Sequence, residues 1–364
     1  MKQKEKNLYY SVTIPDYRLD IKNQEELVEE IGKIYGYGNI PGCLPFFRQK
    51  KISVNKNHFY LELIRQKLSS LGYQEIITYS LISEEESDFC FSEKDKVYKL
   101  LSPKSEKHVY YRQRLLSSHL KTIAYNLMRQ NENLFFFETS KVYFLTSKGA
   151  KEEEILALSG TGKIVSNTVH KLENDYDFFW LKGAIERLFM TLSISDRISF
   201  APSQEKKLHP YQNVDILLNQ EKIGFAGQIH PSVRKKHQIN QPVFGAEISL
   251  SKLFSFLVED SQWSYQAVSP FPKIEQDLSF YLVEDIPASK VIEIIKKNGG
   301  SLLKAVSIFD AYQNKEDKES QKKSLAFRLT FQSQKKTLQK LEVDKIVQKI
   351  IQQVQISLDA KLKV

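Results

Sequence analysis

The sequence predicts an α+β protein of two unlike units, a large sheet domain with helices between its strands and a compact unit after it. Three observations predict it. Between about residues 58 and 261, runs with helical spacing of apolar residues alternate with runs rich in β-branched and aromatic residues. After "VSPFPKIEQDL" the order changes to strand, helix, strand, strand, helix, strand, which is the ferredoxin-like βαββαβ pattern. A length of 364 residues holds two or three domains with their own cores.

The elements follow in chain order. "YYSVTI" reads as a short strand and Pro15-Asp16 as a turn, before a helix from about Gln24 to Tyr35 with Leu27, Ile31, Ile34 and Tyr35 as its buried stripe. Gly and Pro in "GYGNIPGCLP" end it, and the basic run from Arg48 to Lys51 reads as a linker. "FYLELIRQKLSSLGY" is an amphipathic helix closed by glycine, "QEIITYSLI" a β-rich run and "LLSSHLKTIAYNLMRQNE" a helix. "NLFFFETSKVYFL" and "EEEILALSGTG" are strands, and "DFFWLKGAIERLFMTL" is a helix. "VDILL", "IGFAGQI" and "VFGAEISL" add further strands, so this domain carries a mostly antiparallel sheet. In the last unit "QDLSFYLV" is a strand, "IPASKVIEIIKKNGG" a helix with Pro in its first turn, and "SLLKAVSIFDAYQ" and "KSLAFRLTFQ" strands joined by a charged loop. "LEVDKIVQKIIQQV" is a helix with apolar residues at 343, 346, 347, 350, 351 and 354, and "ISLDAKLK" a final strand.

Composition narrows the function. With 41% hydrophobic and 27% charged residues and no run of about 18 apolar residues, the chain reads as a soluble globular protein with no membrane span. "MKQKEKNLYY" lacks the apolar core of a signal peptide, so the expected location is the cytoplasm. Cys43 and Cys90 stand apart without metal-type spacing and read as ordinary small apolar residues. A net charge of +9 with 12% aromatics suits an anionic partner such as RNA. "SGTGKI" at 159–164 lacks P-loop spacing and reads as a turn between strands. His209-Pro210 and His230-Pro231 have no nucleophile or acid at catalytic spacing and read as structural.

Residues 18–41, "RLDIKNQEELVEEIGKIYGYGNIP", crowd acid into this basic chain. One reading makes Asn23 and Glu26 a capping box, with Glu29 and Glu30 as solvated carboxylates near the helix's positive end. The other converges Asp20, Glu26, Glu29 and Glu30 on a divalent ion, for which carboxylate oxygens are the natural donors. Without metal, such a group of like charges is expected to repel and to raise at least one carboxyl pKa.

Taken together, "IPDYRLDI…ELVEEIGKIYGYGNIP", "YRQRLLSSHLKTIAYNLMRQ…LFFFETSKVY", "FWLKGAIERL", "LHPYQNVDILLNQEKIGFAGQIHPSV" and "FPKIEQDLSF…IFDAYQ…KKSLAFRLTFQSQKKTL…LDAKLK" resemble the beta subunit of bacterial phenylalanyl-tRNA synthetase, in the family's order and over nearly the whole chain. The resemblance implies a partial winged-helix-like segment over 1–48, a catalytic-like but inactive class II synthetase antiparallel-sheet domain over 49–265, and a ferredoxin-fold anticodon-binding domain over 268–364. It implies a truncated form, because the family's N-terminal oligonucleotide-binding-fold and editing domains have no counterpart before Tyr9.

What it implies about activity is phenylalanine–tRNA ligase, with catalysis in a partner alpha subunit that binds ATP and with tRNA(Phe) as the shared substrate. Two alpha and two beta chains are the family's assembly; a stand-alone RNA-binding or scaffold protein is the alternative. The chain's own active site is expected to be absent. No arginine stands just before Glu138, and no glycine-rich segment followed by arginine occurs near 224–250, although phosphoryl chemistry calls for such cations. Arg112, in "YRQRLL", matches an arginine of the family's "LRTSLL" pattern and either pairs with a core acid or contacts tRNA, the structural role being the favoured expectation. The family's Mg²⁺ site, shared with the alpha subunit, has the spacing of Asp20, Glu26, Glu29 and Glu30, with Glu26 where Asp is usual. The anticodon-reading residues fall on Asp310, Ser324 and Lys363, the last usually Arg. Residues 271–364 hold 17 Lys and Arg against 12 Asp and Glu, which makes Lys322, Lys323, Lys335 and Lys336 the candidates for phosphate contact.

Overall fold

The structure, a computed structural model, describes residues 10–46, 55–86, 97–147, 149–167, 169–170, 172–260, 267–313 and 322–363. Cys90, Tyr9, the whole Arg48–Lys51 run and the charged loop before Lys322 lie outside the described residues. The chain divides into two units, Met1–Asp260 and Ser261–Val364.

In the first unit, α1 spans Gln24–Tyr35 and has no buried residue. The expected stripe is therefore wrong as a core: Ile31 and Ile34 are exposed, because no described neighbour forms a second layer over them. Residues 10–14 make no strand, having no pairing partner among the described residues. Helix α2 (Lys56–Ser70) starts where the Asn55 side chain accepts the Asn57 N–H, and it buries Tyr60, Ile64 and Leu68 at helical spacing. The β-rich run after it yields only β1 (Gln74–Glu75) and β2 (Leu81–Ile82), the latter paired with β3 (Tyr110–Tyr111).

Helix α3 (Leu116–Leu127) leads into two long strands, β4 (Leu134–Thr146) and β5 (Gly149–Thr161). A hairpin, β6 (Lys163–Asn167) with β7 (Leu172–Asp175), precedes α4 (Phe178–Thr191), whose first turn Asp177 caps through the Trp180 N–H at 2.7 Å. Of "SGTGKI" only Gly162, with φ +85°, is the turn: Ser159–Thr161 end β5 and Lys163 begins β6, and Gly160 lies against the Tyr176 ring, where a Cβ would sit 2.4 Å from it. Strands β8 (Ile198–Ala201), β9 (Leu208–Leu218) and β10 (Glu221–Ile229), helix α5 (Pro231–Lys236), strand β11 (Val243–Ser249) and helix α6 (Leu250–Asp260) complete the unit.

The seven-stranded sheet runs β1-β4-β5-β11-β10-β9-β8, with only the short β1–β4 pair parallel. Alternation along β4 divides two cores. Phe137 joins the cluster that takes in Ile64 and Leu68 of α2, Leu181 and Ile185 of α4, and Leu253 of α6. Phe136 faces the other way, with Leu120 and Ile123 of α3 and Phe225 of β10. All seven residues of β11 are buried, as a central strand covered on both faces must be.

The second unit is β12 (Ile274–Val283), α7 (Ala288–Gly299), β13 (Leu303–Tyr312), β14 (Lys322–Phe331), α8 (Lys340–Leu358) and β15 (Lys361–Leu362). Its sheet order is β13-β14-β12-β15, antiparallel throughout, so the ferredoxin-like βαββαβ expectation holds. The α8 stripe is the one the sequence predicts, with Val343, Val347, Ile350, Ile351 and Val354 buried. It packs with Val291 and Ile295 of α7 onto Leu278, Phe280, Phe327 and Leu329. The final strand is shorter than expected: α8 continues to Leu358, Asp359 adopts φ +48°, and only Lys361 and Leu362 reach the sheet edge.

Candidate nucleic-acid interface

Both helices of the second unit cover one face of its sheet, and the other face is open. Its side chains form rows across the strands. Ser324 pairs with Tyr281 on one side and Tyr312 on the other. In the next row Ala326 lies between Ser279 and Asp310, and in the one after it Arg328 lies between Asp277 and Ser307. Rows on one face are ~6.6 Å apart, two residues of strand rise.

The first row is aromatic and cationic. Lys363 Nζ lies 5.2 Å from the Tyr281 ring centre and 5.6 Å from that of Tyr312, held there because its backbone N–H donates to the Ser279 carbonyl at 2.8 Å. Ser324 is buried beneath this row, with its hydroxyl 3.3 Å from that of Ser279. Asp310 is exposed, one row away over the small floor of Ala326. Asp310, Ser324 and Lys363 therefore share one face and adjacent rows. Sequence reasoning passed over Tyr281 and Tyr312, although Tyr281 between the buried Phe280 and Leu282 is an aromatic at an outward-facing position, which is a readable signal.

The four lysines differ in their surroundings. Lys322 is exposed and has no ion pair among the described residues, and Lys335 likewise. Lys336 is paired with Glu342 in the first turn of α8. Lys323 donates to the Glu284 carbonyl at 2.5 Å, and burial lowers its pKa.

The acidic stretch near α1 is arranged otherwise than expected. Arg18 Nη2 lies 2.7 Å from Asp20 and 2.8 Å from Glu30, while Lys33 reaches Glu29 at 2.9 Å and Glu30 at 3.0 Å. Glu26 is spent on the capping box, accepting the Asn23 N–H at 2.8 Å and the Lys22 N–H. The expected rise in carboxyl pKa is thus a correction. Hydrogen bonds from Arg18 hold Asp20 down at about 2, and Arg18 followed by Lys33 holds Glu30 down at about 2. Among the described residues no group of three or more His, Cys, Asp or Glu is placed to hold a metal ion. As arranged, these donors do not fit Mg²⁺, because a guanidinium and an ammonium already occupy the space between them.

In the first unit, the region around Glu138 is closed. Arg112 is fully buried and donates to Glu138 at 3.0 Å, Ser140 at 2.7 Å and Thr78 Oγ1 at 2.5 Å. His119 Nδ1 lies 2.8 Å from Ser159 Oγ, and its Nε2 is 3.5 Å from Glu138. Burial pushes the Glu138 carboxyl up, but His119, Arg112 and Thr78 together keep it below the ordinary range. Glu247 accepts the Leu115 and Leu116 N–H groups at the start of α3, at 2.7 and 2.8 Å, and burial raises its pKa. The residue just before Glu138 is the core side chain Phe137. His209 is half-buried beside Tyr211, and His230 caps α5 by accepting the Ser232 N–H.

Family models place this chain among the aminoacyl-tRNA synthetases: a tRNA synthetase B5 domain model matches residues 1–37 and a ferredoxin-fold anticodon binding domain model matches 269–363. The phenylalanyl tRNA synthetase beta chain CLM domain model matches residues 40–250, and the chain belongs to the phenylalanyl-tRNA synthetase beta chain family. Similar proteins include the phenylalanine–tRNA ligase beta subunits of Bacillus cereus, 32% identical over 358 residues, and Bacillus subtilis, 32% identical over 354; each match covers 97% of this chain and 44% of that protein. That of Lactiplantibacillus plantarum is 30% identical over 360 residues, covering 98% and 44%. The chain thus spans less than half the length of these relatives. No helix among the described residues is long and apolar enough to cross a membrane.

Proposed function

We propose that this chain serves phenylalanine–tRNA ligase as a non-catalytic tRNA-binding and assembly part of the beta subunit, working in the cytoplasm. In this reading an alpha subunit, in a complex of two alpha and two beta chains, binds ATP and Mg²⁺ and joins phenylalanine to tRNA(Phe). The observation that carries it is the open sheet face, on which Lys363 lies over Tyr281 and Tyr312 beside the exposed Asp310. Unpaired RNA bases are read by aromatic stacking and by hydrogen bonds to their edges, and a four-stranded sheet of this kind offers both.

Two features of the first unit support a non-catalytic role. The space around Glu138 is filled by Arg112 and His119, and a core phenylalanine precedes the acid. Exposed Phe59, Tyr125 and Met128 on and after helices α2 and α3 offer apolar area for a partner chain. The test is co-expression with an alpha subunit followed by tRNA(Phe) binding. A co-purifying complex that binds tRNA(Phe) above other tRNAs is expected. Separate species, with RNA binding kept by this chain alone, would favour a stand-alone RNA-binding protein.

A further inference from the structure

Beyond the first row, the sheet face carries a second aromatic and cationic unit. Strand β13 has a register shift between Ile308 and Asp310, so Phe309 is an extra residue with no partner across β14. Such a bulge re-aims a side chain, and it brings the Phe309 ring within 5.1 Å of the Arg328 guanidinium on the open face. The ring is 51% exposed. Arg328 is pinned flat by Asp277, to which its Nε and Nη2 both donate at 2.8 Å.

We propose that Phe309 and Arg328 form a second nucleobase subsite, for a base next to the one met at Tyr281, Tyr312 and Asp310. The proposal rests on the reading of this face as an RNA-binding surface. Asp277 fixes the ligand class. It answers the charge of Arg328 with a fork of two bonds, and Glu275 one row further is itself paired with Lys273 at 2.6 Å, so a phosphate finds little net attraction here. A guanidinium plane and an aromatic ring are what remain, and both stack bases. Ser324 and Arg328 are four residues apart on one strand, ~13 Å. Stacked neighbours rise only ~3.4 Å per nucleotide, so RNA that reaches both units runs with its bases splayed.

The test uses the full chain and a hairpin RNA carrying the tRNA(Phe) anticodon loop, with versions lacking one loop base each. Phe309→Ala should weaken the intact hairpin about tenfold, the scale of one stacked base. Phe309→Leu, which keeps bulk without a ring, should lose nearly as much with an unchanged unfolding midpoint. One abasic hairpin should bind wild type and Phe309→Ala alike, because the lost base and the lost ring are partners. Arg328→Gln should weaken binding without changing the salt slope. Full binding by Phe309→Ala, or a loss that adds to every abasic loss, overturns the subsite. A salt slope reduced by about one for Arg328→Gln makes it a phosphate contact and overturns the assignment to a base. If wild type ignores the hairpin while Tyr312→Ala changes nothing, the RNA reading of the whole face falls and this subsite with it.

Discussion

Arg112 Nη2 and Glu138 Oε1 meet at 3.0 Å with 0% and 1% of their side chains exposed. A buried pair of this kind is strongly destabilised when one partner is removed, because the other charge stays behind in a medium that cannot solvate it. Replacing both by apolar groups leaves no such remainder.

Glu138→Gln should therefore cost about 3–5 kcal/mol in denaturant titration, while Arg112→Met combined with Glu138→Leu should recover much of that loss. The recovery will be incomplete, since Thr78 and Ser140 also lose their donor. A single substitution with no effect on the midpoint would contradict the closed, structural nature of this region.

At the start of the chain the pH dependence has a definite sign. Asp20 and Glu30 are both held down at about 2 by Arg18, with Lys33 adding to Glu30. Carboxyls depressed on folding contribute fully above the ordinary carboxylate range near about 4, and the contribution fades as pH falls toward the folded value. Carboxyl titration followed by NMR should give two midpoints near 2, and Arg18→Ala should return Asp20 toward the ordinary range. Added Mg²⁺ should leave both midpoints in place; a metal-induced shift at low concentration would mean the ion displaces Arg18.

What was legible in the sequence tracks how local the cause is. The α8 stripe read at 343, 346, 347, 350, 351 and 354 is set by one helix's periodicity, and all of it is buried except the partly buried Ile346. The alternation that sends Phe136 and Phe137 to opposite cores is likewise a property of one strand. The acidic stretch misled because its charges were weighed without Arg18, which a turn through the Pro15 carbonyl brings back onto Asp20 and Glu30. Phe309 was illegible for a different reason: a bulge is a relation between two strands, and spacing along one of them does not reveal it. Asp310, Ser324 and Lys363 came from resemblance, and only the fold explains why residues from three strands' ends share a face.

The candidate phosphate-binding lysines should separate by their partners. Lys322 and Lys335 have no ion pair among the described residues, whereas Lys336 answers Glu342. Lys322→Ala and Lys335→Ala should each weaken all tRNAs alike and reduce the salt slope by about one. Lys336→Ala should change the slope less. Equal slopes for wild type and all three variants would remove these lysines from the phosphate path.

The floor between the two cationic units gives the sharpest test of base reading. Ala326 sits between Ser279 and the exposed Asp310, so the centre of that row is only a methyl group. A carboxylate beside a flat floor accepts hydrogen bonds from a base edge, and it repels phosphate. Asp310→Ala should weaken the cognate anticodon by roughly 10-fold or more, within the 1–3 kcal/mol of a base-edge contact, and spare other tRNAs. Ala326→Leu removes no polar group and points away from the helices, so the unfolding midpoint should hold while binding to the cognate RNA drops. Losses of equal size on cognate and non-cognate tRNA for Asp310→Ala, together with full binding by Ala326→Leu, would reduce the face to a basic tether without readout.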